Sequence, residues 1–188
     1  MSTPLRKNAR GNARGFSLIE VMVALIVIAV GLLGIGKMQA LALASTSSAS
    51  MRSLAALEAA SLAATMHSNR DFWSETPPAS TTVSGATIAS STAGFPGAVP
   101  VPCSTPGSSS CTPTELAADD LQQWVTALNQ ILPNVTATVL CANGTPPTAC
   151  TIQIGWSENA VAINSQEAAN VTSNETFQTP TYTLYVEP

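Results

Sequence analysis

Glu20 is the only charged residue in the apolar stretch from Phe16 to Gly36. A carboxylate at the centre of a bilayer costs about 2.5–3.5 kcal/mol on insertion scales, and ionisable groups within membranes usually have a partner. A cut between Gly15 and Phe16 would supply one, because it creates an α-amino group four residues before the glutamate. In hydrocarbon such an amine and the carboxylate would pair, whereas either charge alone is costly.

Four cysteines follow the apolar stretch: Cys103, Cys111, Cys141 and Cys150. An even number of cysteines in a segment exported past a membrane predicts disulfides, with buried free thiols or a metal site as the alternatives. A four-cysteine zinc site usually has pairs two to four residues apart. These pairs are eight and nine residues apart, which favours disulfides. Of the three possible connectivities we expect the local one, Cys103–Cys111 and Cys141–Cys150.

The sequence contains no constellation of catalytic residues. His67 is the only histidine, so a site with several histidine ligands is impossible and a histidine-based triad has no support. No phosphate-binding loop or dinucleotide fingerprint is present. Glu115, Asp119 and Asp120 lack EF-hand spacing and indicate the start of a helix rather than a calcium site. We therefore expect no enzyme activity, cofactor, metal site or small-molecule substrate.

The apolar stretch that positions Glu20 has the length of a membrane-spanning helix. About 20 residues at a rise of 1.5 Å cross a hydrocarbon core of roughly 30 Å, so residues 16–36 suffice. Four basic residues before the stretch would hold residues 1–15 on the cytoplasmic side: Arg6, Lys7, Arg10 and Arg14.

Loss of residues 1–15 would make an acidic chain more acidic. The formal net charge is −4, and the three basic and eleven acidic residues that remain after such a cut give −8. Nucleic-acid affinity rests largely on contacts of Lys and Arg with phosphates. The composition therefore argues against a nucleic-acid partner.

Three interpretations of the N-terminal segment compete. It is a secretory signal peptide with a cleavage site at Ala42-Leu43-Ala44, an uncleaved signal anchor, or a leader cut before Phe16. The apolar region of a signal peptide has no use for a carboxylate, so Glu20 argues against the first. Alternatively, Glu20 has no function, and its charge is tolerated because the residue lies near the membrane interface.

The heptapeptide Gly15-Phe16-Ser17-Leu18-Ile19-Glu20-Val21 resembles the cleavage and methylation motif of type IV pilins and type II secretion pseudopilins. That motif consists of a glycine, a phenylalanine, three apolar or small residues and a glutamate at the fifth mature position. The resemblance implies that a prepilin peptidase cuts after Gly15 and N-methylates Phe16. It also implies that Glu20 pairs with the Phe16 amine of its own or a neighbouring subunit in a fibre.

The continuation VMVALIVIAVGLLGIGKMQ resembles minor pilins of the type IV pilus modification family, over about residues 16–70. This resemblance implies a role in building type IV pili, and so in twitching motility, by incorporation or by priming of assembly. The implied partners are other minor and major pilins, prepilin peptidase and the inner membrane. The N-terminus would be cytoplasmic and the head periplasmic before the chain reaches the pilus at the cell surface.

Two alternatives to a pilus subunit remain open. The first is a pseudopilin of a type II secretion machine, which has the same N-terminal motif. The second is a secreted binding domain that signal peptidase releases by cutting after Ala44.

A single long helix is predicted over about residues 17–70, because no proline occurs between Lys37 and Arg70 and alanine is frequent. Residues 16–36 would form its membrane half and residues 37–72 an amphipathic half that packs on the head. Three glycines weaken the membrane half, and they allow either local melting or close approach of neighbouring helices: Gly31, Gly34 and Gly36. The predicted packing stripe recurs at near-helical spacing: Met51, Leu54, Leu57, Leu62 and Met66.

The predicted head comprises residues 73–188. Residues 77–113 read as loop with a short strand near 83–88, and a second helix begins at Thr114-Glu115 and stops at Pro133. Alternating β-branched residues predict strands over 135–141, 151–156 and 182–187, whereas the polar segment 158–179 is expected to be a surface excursion. Three tryptophans are expected to be core or shielding residues: Trp73, Trp124 and Trp156.

Together these elements predict an α+β fold of the pilin type. A long N-terminal helix, transmembrane in its first half and amphipathic in its second, would pack on a small antiparallel β-sheet. The head would add a second helix and two disulfides to this layout.

Overall fold

The structure, a computed structural model, describes residues 15–97, 103, 111–142, 147–159 and 177–188. The chain divides into two units, Met1–Ala42 and Leu43–Pro188. The predicted leader other than Gly15 lies outside the described residues, as does most of the segment 158–179.

Helix α1 runs without a break over Leu18–Ser68, which confirms the prediction of one long helix. A second, short helix, α2, follows over Arg70–Trp73. Phe72 and Trp73 are buried there and meet edge to face, with ring centroids 5.2 Å apart. The polar stretch Ser45–Ser50 is helical despite its weak intrinsic preference, and within it only Ser48 is partly buried.

The buried stripe of α1 in the second unit differs from the predicted one at Leu57. Leu62 and Met66 are buried as predicted, but Leu57 is 64% exposed. At 100° per residue, Leu57 lies about 140° around the helix from Leu62, on the opposite side. Two alanines complete the stripe at spacings of three and four residues: Ala55 and Ala59.

Five antiparallel strands form the main sheet in the described part of the chain. They are β1 (Ser80–Ser84), β2 (Thr87–Ser90), β3 (Thr136–Cys141), β4 (Cys150–Gly155) and β7 (Thr181–Val186). Their order across the sheet is β2-β1-β3-β4-β7. The residues of one face alternate with exposed ones along β3 and β4 and form the core: Ala137, Val139, Ile152 and Ile154. The structure therefore confirms the α+β layout, and the strands near 135–141, 151–156 and 182–187 lie within one residue of their predicted bounds.

The region around residues 83–88 contains a hairpin rather than the single strand predicted. β1 and β2 are joined at Gly85-Ala86, and Ser84 faces Thr87 at the closing pair. Gly85 has a φ of +55°, a conformation that glycine adopts without steric cost. Two short strands joined by a two-residue turn therefore lie where the sequence pattern predicts a single strand.

Helix α3 spans Pro113–Ile131 and begins with a capping box. The Thr112 hydroxyl accepts a hydrogen bond from the Glu115 N–H, and the Glu115 carboxylate accepts one from the Thr112 N–H at 2.8 Å. Trp124 is buried as predicted, and its indole N–H donates to the Glu58 carbonyl of α1 at 2.9 Å. The Asn69 amide donates to the Pro113 carbonyl, which ties the end of α1 to the start of α3.

Replacing Thr112 with alanine is expected to destabilise the chain by about 1 kcal/mol, the usual cost of losing an N-cap side chain. The hydrogen bonds from the Thr112 N–H and hydroxyl lower the pKa of Glu115. The N-cap bond itself does not titrate, whereas the two hydrogen bonds to the Glu115 carboxylate stabilise the fold at neutral pH and lose this effect as the pH falls through that lowered pKa. Denaturant unfolding of the full chain in detergent at neutral and acidic pH measures both effects. Thr114→Ala, in the same exposed turn, is the matched control.

The segment that starts at Glu158 was expected to be a surface excursion, and for its first residue this is wrong. Glu158 is buried at 5% exposure. A short strand β5 (Glu158–Asn159) pairs with β6 (Phe177–Gln178) in a separate two-stranded sheet. Residues 160–176, which make up most of the predicted excursion, lie outside the described residues.

Candidate functional site

Gly15, Phe16 and Ser17 precede α1 and have no regular secondary structure. The Ser17 carbonyl accepts hydrogen bonds from the N–H groups of Glu20 at 3.0 Å and Val21 at 3.3 Å, so the helical pattern starts from it. Phe16 is 83% exposed. The Gly15–Phe16 peptide bond therefore lies outside the helix, where helical hydrogen bonds do not protect the backbone from a protease.

Glu20 lies in the first turn of α1 with its side chain exposed. A carboxylate is favoured there because the unpaired N–H groups of a helix start carry partial positive charge. Phe16 precedes Glu20 by four residues along the chain. Since the Gly15–Phe16 bond is intact, pairing of Glu20 with a Phe16 amine stays a prediction.

The apolar side chains around Glu20 have no protein partners that bury them in the described residues. The large apolar residues from Phe16 to Met38 are between 48% and 83% exposed. α1 contains a window that is long and apolar enough to cross a membrane, and none of this window is buried. So continuous an apolar surface requires lipid or other protein around it. The helix is consistent with membrane anchoring.

Glu158 forms a buried polar cluster that sequence reasoning missed. Its carboxylate accepts hydrogen bonds from the Trp156 indole N–H at 2.9 Å and from the Ser48 hydroxyl at 2.6 Å. The guanidinium Nε of Arg52, one turn further along α1 than Ser48, lies 3.7 Å from the same carboxylate. These contacts join the chain after β4 to the Ser- and Thr-rich stretch of α1. No local signal could have found them, since Ser48 and Glu158 are 110 residues apart.

The four cysteines are joined in two local pairs. Cys103 bonds to Cys111 and Cys141 bonds to Cys150. Cys141 and Cys150 face each other in the register of β3 and β4, so their bridge closes the end of that strand pair. The Cys103 N–H donates to the carboxylate of Asp119 at 2.9 Å, which links the first disulfide to α3.

Two acidic residues of α3, Glu115 and Asp119, accept hydrogen bonds from within the protein. Asp119 is buried, and besides the Cys103 N–H it accepts a hydrogen bond from the Gln123 amide at 2.9 Å. Burial and the neighbouring Asp119 charge raise the pKa of Asp120. No group of three or more His, Cys, Asp or Glu side chains that could hold a metal ion occurs among the described residues.

A family model described as the prokaryotic N-terminal methylation motif matches residues 10–36. The match includes Gly15, Phe16 and Glu20 and ends within the membrane-length part of α1. No curated protein and no solved structure matches the chain significantly. The matched motif indicates a type IV pilin-like or pseudopilin-like protein that prepilin peptidase cleaves. Proteins with this motif are structural rather than catalytic.

Proposed function

We propose that this chain is a minor pilin of the PilV type, which is incorporated into type IV pili or primes their assembly. The observation that carries the proposal is the methylation motif at the start of a long, exposed apolar helix. The continuation of the motif through Gly31, Gly34 and Gly36 to Lys37 resembles minor pilins more than secretion pseudopilins. The partners would be other minor and major pilins and prepilin peptidase.

The proposed maturation starts at the exposed bond between Gly15 and Phe16. Cleavage removes residues 1–15 and leaves Phe16 with a free α-amino group four residues before Glu20. Prepilin peptidase would then N-methylate this amine. In hydrocarbon this amine and the carboxylate of Glu20, from the same or a neighbouring subunit, would satisfy each other. An axial shift between subunits would separate the two charges, so the pair would favour correct register in the fibre.

The proposed organisation follows from this maturation. Residues 16–36 would anchor the mature chain in the inner membrane, residues 37–72 would form the amphipathic half of the helix, and residues 73–188 would form the periplasmic head. Its two disulfides suit an oxidising compartment. The whole chain would then move to the pilus at the cell surface.

Deletion of the gene is expected to abolish or reduce twitching motility and to leave type II secretion intact. The full chain, supplied in trans, is expected to restore motility and to be recovered with fibres sheared from the cell surface. Loss of protein secretion with normal motility would instead identify a secretion pseudopilin. Recovery of a free head in the medium, with no membrane-bound chain, would contradict both.

A further inference from the structure

A cleft separates the β1–β2 hairpin from α3 in the second unit. Its volume is about 400 Å³, and its lining includes Ile88 of β2 and Val125, Thr126 and Gln122 of α3. Val125 belongs to the core and Ile88 packs against it, so the floor is apolar. No lining residue is ionisable, whereas the mature chain as a whole would carry a charge of −8, from three basic and eleven acidic residues.

Two side-chain amides of the cleft lining connect α3 to the hairpin and to the chain beyond it. The Asn129 amide donates to the Gly85 carbonyl in the hairpin turn at 2.9 Å. The Gln122 amide donates to the Gly97 carbonyl beyond the hairpin at 3.0 Å. The two amides are seven residues apart on α3, which corresponds to about 10 Å along the helix axis. Three residues of an extended strand span about the same length.

The strand beside the cleft is an edge of the sheet. Among the described residues β2 pairs only with β1. In an antiparallel pair every second residue directs its N–H and C=O away from the partner strand. Two of the four residues of β2 therefore direct their backbone groups to the outer side, where no strand of the described residues pairs with them, and such groups accept an added strand.

From this cleft and this free edge together we propose that the head binds an extended, uncharged peptide of a partner protein as a sixth strand beside β2. Backbone hydrogen bonds to β2 hold about three residues of the peptide along the cleft. Its inward side chains, small or β-branched, cover Ile88 and Val125. A charged peptide is disfavoured because the lining has no counter-charge, and an acidic one is also repelled by the acidic chain. This inference is independent of membrane anchoring and of the pilus.

The test uses the full chain in detergent micelles and a capped, fluorescent hexapeptide of alternating threonine and valine. Fluorescence polarisation is expected to show saturable binding. The same peptide with N-methyl groups on alternate residues is expected to bind at least about tenfold more weakly, because two lost backbone hydrogen bonds amount to roughly a tenfold change in affinity.

Thr126→Arg places a long, charged side chain in the middle of the cleft from an exposed helix position and is expected to weaken binding at least about tenfold. Thr114→Arg introduces the same side chain in an exposed turn of α3 away from the cleft and is expected to bind like the unaltered chain. A photoreactive version of the peptide should crosslink to β2 or α3, which tests the site in the unaltered chain even if Thr126→Arg does not fold.

Four results would each overturn the proposal. The first three are no saturable binding of the hexapeptide, equal affinity for its N-methylated form, and crosslinks confined to other parts of the chain. The fourth is equal affinity of folded Thr126→Arg and Thr114→Arg chains for the hexapeptide.

Discussion

Glu20→Ala is expected to leave cleavage after Gly15 largely intact and to reduce incorporation of the mature chain into fibres by at least about tenfold. The alanine leaves the Phe16 amine without a counter-charge in hydrocarbon. The penalty for an unpaired charge at the bilayer centre is about 2.5–3.5 kcal/mol. It is smaller near the helix start, so a tenfold effect, or about 1.4 kcal/mol, is a conservative expectation. Quantitative blotting of sheared fibres against the membrane fraction measures the ratio.

Glu187→Ala is the matched control for this substitution, because it removes an exposed carboxylate from the far end of the chain. Its incorporation should equal that of the unaltered chain. Normal incorporation of Glu20→Ala would show that the carboxylate is merely tolerated at the membrane interface. Loss of cleavage in Glu20→Ala would also contradict the account, since it assigns the glutamate to assembly rather than to processing.

Glu158→Ala is expected to destabilise the chain by about 3 kcal/mol. The substitution leaves the buried Trp156 indole N–H without its acceptor and removes the partner of the Ser48 hydroxyl. A buried donor without a partner costs about 1–3 kcal/mol, and hydrogen bonds to charged groups are the stronger ones. Arg52 contributes little to this figure, because its side chain is 61% exposed and water screens its charge. Denaturant unfolding followed by tryptophan fluorescence gives the value.

Two further variants test the origin of this effect. Glu158→Gln keeps an oxygen acceptor and is expected to lose only about 1 kcal/mol. Glu75→Ala removes an exposed carboxylate and should change the free energy of unfolding by less than about 0.5 kcal/mol. A loss for Glu158→Ala no larger than that for Glu75→Ala would mean that the buried cluster does not stabilise the head.

The features that local patterns encode were predictable from the sequence. The motif from Gly15 to Glu20 lies within six residues, so one short stretch of sequence shows both its residue types and their spacing. The absence of proline predicted α1, and alternation of β-branched residues predicted β3 and β4. The aromatic core positions of Trp73, Trp124 and Trp156 were also predicted correctly, since all three are buried.

The features that depend on distant parts of the chain were missed. Leu57 fits a mean spacing along α1, but its angular position places it on the side opposite Leu62. The burial of Glu158 depends on a serine 110 residues earlier, and no periodicity links them. The sequence pattern predicts one strand near residues 83–88 rather than the hairpin β1–β2, because the turn of this hairpin is only Gly85-Ala86. The cleft beside β2 arises from the packing of α3 on this hairpin, which the sequence does not specify locally.

The most direct test of the central claim is the intact mass of the membrane-bound chain from cells with prepilin peptidase. We expect the mass of a chain that starts at N-methylated Phe16, and the full-length mass from cells without the peptidase. A chain that starts at Ser45 would show release by signal peptidase. A chain that still carries residues 1–15 in the presence of the peptidase would show an uncleaved anchor. Either result would contradict the assignment of Gly15, Phe16 and Glu20 to prepilin processing and fibre assembly.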